Sequence, residues 1–331
     1  WTWVCVVGTF ALYFPLPGQV VVALTCFIIA NIGFEMGGVF CNAYLPDIAP
    51  KEKIGRVSGY GWSFGYVGGL LALAICFVLF VQPEVPAFGF TTELGENIRA
   101  TNLLIAIWFA IFSIPTFLWV KDTKNPQRIG KDIVSSSFSQ LKSTFSEIRK
   151  YRQMTRFLLA RLLYNDGLIT IFAFGGIYAS GTFGFTFNEI FLFGIVLNIT
   201  AGLGAFGLGF LDDILGGKKT IQLSNIGLIT ACILAVTTHS KDVFWFSGAL
   251  IGIFAGPNQS ASRSLMARFI PKEKENEFFG FFAFSGKATA FMGPFLLGYL
   301  TQIFGSQRYG VAVVLIFLVI GTLLLRHVDE T

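Results

Sequence analysis

Acidic side chains inside apolar segments are the residues of this chain best suited to chemistry. Glu35 lies in the middle of one apolar run and Asp166 lies in another. A charged carboxylate in mid-membrane costs about 2.5 to 3.5 kcal/mol on insertion scales, so each acid is expected to face a cavity or a partner. Either residue could bind and release a proton there.

Amide side chains accompany Glu35 along one face of its segment. Asn31 precedes it by one helical turn and Asn42 follows by two, and both lie within about 40° of Glu35 around a helix. A second segment carries Gln259 and Arg263 on one face. The polar face of the first segment predicts a cavity, and the alternative is a structural acid tied to a neighbouring helix.

A further polar group lies in the stretch ARLLYNDGLI, which contains Arg161, Asn165 and Asp166. Arg161 is near the end of its segment, where it either faces a cavity or extends to lipid headgroups. Lys287 is predicted to pair with Asp166 or to contact a substrate, and the alternative is a lysine that reaches the headgroups alone. An acid and a base in one cavity would suit a ligand with both an ammonium and a carboxylate group, such as an amino acid.

The segments that hold these residues are long and apolar. Of the 331 residues 54% are hydrophobic and 13% are charged, whereas soluble proteins have about 25% charged residues. Apolar runs of roughly 18 to 25 residues fit helices that cross a bilayer, and the alternating segments of a membrane barrel are missing. We therefore predict an all-α, multi-pass membrane protein. Its ten spans are placed at approximately 1–14, 20–44, 57–82, 103–120, 157–180, 190–211, 220–237, 243–264, 278–303 and 309–325.

Neither the charge nor the cysteines indicate a further ligand. The formal net charge of +5 is explained by basic residues in the loops, so no nucleic-acid partner is predicted. The five cysteines lie in apolar runs without metal-ligand spacing, so neither a metal nor a cofactor is predicted. The predicted partners are the lipid bilayer and a small-molecule substrate.

A sequence repeat relates two parts of the chain. The motif PKEK at 50–53 returns at 271–274, 221 residues later, and apolar segments flank both copies. Repeats of apolar spans build many transporters. The same offset places partners of the spans at 157–180 and 190–211 before Trp1, so two spans are expected to precede it. The predicted domains are an incomplete four-span bundle (1–120), a linker (121–156) and a six-helix bundle (157–331).

The basic residues predict the orientation in the membrane. Most of the 24 Lys and Arg residues fall in one set of alternate loops, which is predicted to be cytoplasmic, and the other set contains Arg99, Lys241 and Arg308. The linker lies on the basic side. Its residues 138–152 fit an amphipathic helix along the inner leaflet, and they also fit a solvated linker helix.

Two stretches resemble a known transporter family. The link GFLDDILGGKKTI resembles the loop signature of the major facilitator superfamily, although Ile214 stands where that family usually has a basic residue. The matching residues are Gly209, Asp213, Gly216, Lys218 and Lys219. The stretch NAYLPDIAPKEKIGRVSGYGWSFGYVGG is similar to the vacuole-effluxer branch, the autophagy-related amino-acid effluxers and their bacterial relatives.

This resemblance implies two six-helix bundles around a central cavity that opens to each side in turn. It places the Asn31, Glu35 and Asn42 face opposite Gln259 and Arg263, and it assigns the signature loop to an inner gate. The implied function is secondary transport of a small solute, by efflux or exchange of amino-acid-like molecules. The implied location is the cell membrane of a bacterium or the vacuolar membrane of a eukaryote.

Two other functional classes remain open at this point. One is a receptor or scaffold that moves no solute; the retained polar stripes argue against it, and a flux measurement would decide. An intramembrane aspartyl protease would use Asp166 and Asp212, which lie on different spans. No nucleotide-binding loop is recognisable, so a transporter of this sequence would be driven by an ion gradient or by the gradient of its substrate.

Overall fold

A computed structural model describes residues 1–120, 151–271 and 274–330. Within these ranges the chain is helical and contains no β-strand, which confirms the all-α prediction. The predicted linker lies outside the described residues up to Lys150. The described α-helices are α1 (Thr2–Ala11), α2 (Val20–Ala43), α3 (Leu45–Ile48), α4 (Ile54–Cys76), α5 (Glu96–Trp119), α6 (Arg152–Phe183), α7 (Phe187–Leu215), α8 (Gly217–Thr237), α9 (Lys241–Phe269), α10 (Glu275–Ser285), α11 (Met292–Phe304) and α12 (Gln307–Arg326).

Seven helical stretches of the described chain are long and apolar enough to cross a membrane. The chain is therefore a multi-pass membrane protein. Helix α9 has 29 residues, which is also long enough, but its second half has the polar sequence GPNQSASRS. The count of ten spans remains a prediction.

The predicted span at 278–303 is wrong as a single helix. Helix α10 ends at Ser285, α11 begins at Met292, and turns occupy 286–291. Short-range bonds hold the break together, including one from the Met292 N–H to the Thr289 carbonyl at 2.7 Å. Pro294 has no N–H to donate to a preceding turn, so it suits the first turn of a new helix. A break at membrane depth is tolerated where it is buried in protein or lines a water-filled cavity.

The described chain divides into two compact units. The first contains residues 1–41 and the described residues from 68 to 120, and the second contains 42–67 and the described residues from 151 onward. The second unit therefore includes residues 50–53, the first copy of the PKEK motif. The two bundles expected from the repeat stay a prediction. The division into units follows contacts between residues, whereas the bundles follow the sequence repeat.

Small residues allow α7 and α9 to pack closely in the second unit. A Cβ at Gly256 would overlap the carbonyl oxygen of Ala201, and a Cβ at Gly252 would lie 2.6 Å from the carbonyl oxygen of Leu197. Ala201 and Ala255 are completely buried. Small residues drive helix association in membranes because they let the backbones approach. These glycines therefore pack a helix pair and do not line a cavity.

Replacing Gly256 with leucine is expected to destabilise the protein, because the side chain has no room beside Ala201. Overpacking of this kind typically costs about 1 to 3 kcal/mol. Gly207 on α7 is the matched control, since nothing lies within 4 Å of the position of its Cβ. Thermal unfolding in detergent should show a lower midpoint for Gly256→Leu and an unchanged midpoint for Gly207→Leu. Equal midpoints would contradict the packing argument.

Candidate functional site

A buried ion pair joins the end of α7 to the beginning of α4. The Asp213 carboxylate accepts hydrogen bonds from the backbone N–H groups of Gly55 at 2.8 Å and Arg56 at 3.2 Å, and from Arg56 Nε at 2.5 Å. The Asp213 side chain is 3% exposed. The first N–H groups of a helix have no partner within it, and a carboxylate at this end is favoured by the helix dipole. Asp213 thus caps α4 from a distant part of the chain.

The adjacent acid, Asp212, contacts different helices, because successive residues of a helix point about 100° apart. Arg268 on α9 donates to Asp212 Oδ1 at 2.7 Å, and the Ser264 hydroxyl donates to Oδ2. Arg268 also pairs with Glu330 at 3.1 Å, and Glu330 accepts the N–H of Gly217 at 2.8 Å. Sequence reasoning missed this cluster. The pair of adjacent acids at a helix end was the signal available.

The other residues of the signature loop have structural explanations. Gly209 is buried at a close approach, since a Cβ there would lie 3.3 Å from the Gly59 Cα. Gly216 forms the turn between α7 and α8 with a φ of 88°, which favours glycine. The Lys218 ammonium donates to a backbone carbonyl at the end of α12 at 3.0 Å. Lys219 is exposed.

A second polar contact lies between α9, the end of α2 and the beginning of α4. Arg263 donates from Nη1 to Asn42 Oδ1 at 3.2 Å, from Nε to Ser58 Oγ at 2.9 Å and from Nη2 to the Ser58 carbonyl at 2.6 Å. The Tyr66 hydroxyl donates to Gln259 Oε1 at 3.3 Å. The structure therefore brings together Asn42 and Arg263 from the predicted set. Ser58 and Tyr66 were missed, because both lie in a segment that resembles a glycine-rich packing helix.

Glu35 and Asn31 belong to the first unit. Glu35 is half-buried near the middle of α2, and Asn31 is exposed. Asn42 lies on the same face of α2, seven residues after Glu35, which corresponds to about 10 Å along the helix axis. The role of Glu35 in binding remains a prediction.

Arg161 and Asn165 on α6 hold the end of the broken helix. Arg161 Nη1 donates to the Phe282 carbonyl at 2.6 Å and to Ser285 Oγ at 2.9 Å, and its guanidinium lies 3.6 Å from the centroid of the Phe282 ring. Asn165 Nδ2 donates to the Gly286 carbonyl at 3.0 Å. The last carbonyls of a helix have no partner within it, and a cation at this end is favoured by the dipole. Arg161 thus stays inside the protein and does not extend to the headgroups.

Asp166, on the same stretch of α6, lies at the beginning of the second half of the broken helix. It is 2% exposed, and neither carboxylate oxygen makes a hydrogen bond within the described chain. The Gly293 N–H, in the first turn of α11, faces the carboxylate without reaching hydrogen-bond geometry. Lys287 is exposed within the break. The ion pair between Asp166 and Lys287, one of the two roles predicted for this lysine, is not formed.

Removing the Arg161 guanidinium is expected to loosen the broken helix, because the Phe282 carbonyl and the Ser285 hydroxyl both lose a charged donor. Hydrogen bonds to charged groups contribute about 1.5 to 3 kcal/mol. Arg161→Leu should speed alkylation of a cysteine placed at Ala288 by about tenfold or more, in a background without the native cysteines. Arg152→Leu, which changes an exposed arginine of the same helix, is the control and should leave the rate unchanged. Equal rates in both variants would show that Arg161 does not hold the break.

Comparisons with known proteins agree on one family. The family model described as "Vacuole effluxer Atg22 like" matches residues 2–331. The MFS-type transporter YxiO of Bacillus subtilis is 29% identical over 311 residues, which cover 93% of this chain and 71% of that protein. Autophagy-related protein 22 of Yarrowia lipolytica is 24% identical over 337 residues, covering 91% of this chain and 55% of that protein. The chain thus spans only part of the length of these relatives.

Solved structures of similar fold are transporters of the major facilitator superfamily. FucP in its outward conformation matches 100% of this chain and 82% of its own with a TM-score of 0.76 and 13% identity. A bacterial homologue of the iron transporter ferroportin, in an outward-facing state, matches 98% of this chain and 80% of its own with a TM-score of 0.71 and 14% identity. At these identities the likeness shows the fold alone.

Proposed function

The chain belongs to the family of Atg22-like vacuole effluxers, and from this premise we propose that it is a secondary transporter of amino-acid-like solutes that works by alternating access. Its family and fold are those of membrane transporters and not of enzymes. The proposed mode of transport is efflux of the solute or its exchange across the bilayer.

The contact between Asn42 and Arg263 carries the proposal of alternating access. The two residues are 221 positions apart, which equals the repeat offset, so they occupy equivalent positions of the two repeat copies. A residue contacts its own repeat equivalent only near the axis that relates the copies. In transporters the substrate site lies at the interface of such repeats, and one repeat rocks against the other. We propose that this contact closes the pathway on the cytoplasmic side.

The ion pairs around Asp212 and Asp213 support the same proposal. Arg56 and Arg268 connect the end of α7 with α4 and α9 through buried carboxylates. These contacts would have to open when the cytoplasmic side opens.

The proposed substrate class follows from acids and bases at membrane depth. Within the second unit, Arg263 offers a guanidinium to the carboxylate group of a solute when its contact with Asn42 opens. A free amino acid carries such a carboxylate group, and its ammonium group suits a carboxylate such as Glu35 or Asp166. Ion pairs with a bound solute would offset the cost of placing these charges within the membrane.

The proposal is tested by flux of labelled solutes in proteoliposomes that contain the full-length protein. At least one zwitterionic amino acid is expected to exchange faster than in protein-free vesicles, and sugars and nucleosides are not. Saturable binding of an amino acid without flux would favour the receptor or scaffold instead. A protease is not proposed, because Asp212 is occupied by Arg268 and Ser264.

A further inference from the structure

Asp166 is buried in the second unit without a partner for a negative charge. Its two carboxylate oxygens each expose less than 1 Å² and accept no hydrogen bond from any described residue. An isolated ionised carboxylate in an apolar interior is very costly, and such groups are normally paired or neutralised. Burial without an ion-pair partner therefore favours the neutral, protonated form of this residue over the ionised form.

The elements packed around Asp166 do not supply a charge. From α12, Leu318 packs against the neighbouring Gly167. On α6 itself, Arg161 is held by α10. In the break, Lys287 is exposed.

The side of Asp166 that faces α9 also carries no charge. Tyr164 and Ser262 share a hydrogen bond of 2.8 Å, and both are buried. The nearby arginine of α9, Arg263, donates to Ser58 and Asn42. In the described structure, α9 therefore offers Asp166 no ion-pair partner.

We propose that Asp166 binds the proton that is exchanged during solute transport, an inference that rests on the proposed function. A metal cation such as Na⁺ would need several oxygen ligands in contact with it, and each carboxylate oxygen of Asp166 exposes less than 1 Å². A proton needs no such ligands, because it converts the carboxylate to a carboxylic acid. On release the O–H bond breaks, the electron pair stays on the carboxylate and the proton passes to water.

The broken helix provides the way to expose this carboxylate. The first turn of α11 covers Asp166, and Gly293 permits the approach because a Cβ there would overlap the Thr170 hydroxyl. Helix α10 is held separately by Arg161, and Asn165 holds Gly286 where the turns begin. The turns at 286–291 therefore allow α11 to move away from Asp166 while α10 stays in place. Proton release is expected in the conformation in which α11 has moved.

Proton and solute fluxes in proteoliposomes of the full-length protein test this proposal. Asp166→Asn is expected to reduce solute-driven proton flux by at least about tenfold, within the usual range of coupling energies. Exchange of labelled for unlabelled solute at equal pH should stay within about threefold of wild type, because a neutral side chain mimics the protonated acid. Asp166→Glu, which keeps the titratable group, should retain proton flux. Asp242→Asn changes an exposed acid of α9 and is the matched control.

Three outcomes would overturn the proposal. The first is a wild-type ratio of proton to solute flux in Asp166→Asn, and the second is flux that requires Na⁺ and moves no protons. The third is an infrared titration of the purified wild type in which no carboxylic acid band is found that shifts in Asp166→Glu. The infrared measurement needs no transport, so it also decides the matter if Asp166→Asn does not fold. Wild-type protein without solute flux but with this titrating band would refute the transport function and leave proton binding by Asp166 standing.

Discussion

Replacing Asp213 with asparagine is expected to slow turnover by about tenfold or more while the substrate affinity stays within a few-fold of wild type. The carboxylate holds the beginning of α4 through two backbone N–H groups and the Arg56 side chain. Asparagine keeps one acceptor oxygen but loses the charge, and charged hydrogen bonds contribute about 1.5 to 3 kcal/mol each. A change of about 1.4 kcal/mol in the balance between two conformations alters their ratio tenfold. Substrate does not contact this residue in the proposed mechanism.

A double-mutant cycle with Arg56→Gln assigns the effect to the ion pair. The two single substitutions should each slow turnover, and the double variant should be no slower than the more affected single variant, because residues in direct contact do not act additively. Asp242→Asn, which changes an exposed acid of α9, should be unaffected. Rapid exchange kinetics separate turnover from affinity. A large loss of affinity with normal turnover would place Asp213 in the binding site and contradict the gating role.

The sequence was sufficient to predict long apolar helices but not the partners of their polar side chains. Long apolar runs identified a multi-pass helical protein, because the bilayer fixes the length of a span. The acid of the signature loop, Asp213, was identified by a motif. Its partner Arg56 lies 157 residues away, and only the folded chain brings the two side chains together. The same holds for Arg268, which links Asp212 to Glu330.

The broken helix shows why a correct composition can still give a wrong element. Residues 278–303 are apolar enough for one span, and the glycines and Pro294 within it also fit close helix packing. The deciding feature is the pair of caps on α6, because Arg161 and Asn165 satisfy the carbonyls that the break exposes. Hydropathy does not register such caps. The prediction that Arg161 either faces a cavity or reaches the headgroups therefore missed its contacts with α10.

Replacing Glu35 with glutamine is expected to abolish most substrate-driven flux, or its pH dependence, while the protein folds and inserts normally. Glu35 is a half-buried acid near the middle of α2, where an ionised side chain costs about 2.5 to 3.5 kcal/mol. The face of α2 that carries Glu35 continues to Asn42, and Asn42 contacts Arg263. A carboxylate in this position can bind an ammonium group or a proton.

The substitution separates the charge of Glu35 from its shape. Glutamine keeps the size of the side chain and its ability to form hydrogen bonds, so a purely structural acid should tolerate the change well. Glu84→Gln makes the same chemical change at an exposed position of the chain and should leave flux unchanged. Counterflow and pH-jump assays on the purified full-length variants measure both quantities. If flux and its pH profile both match the wild type, Glu35 is a structural acid, and the polar face of α2 does not bind the substrate through it.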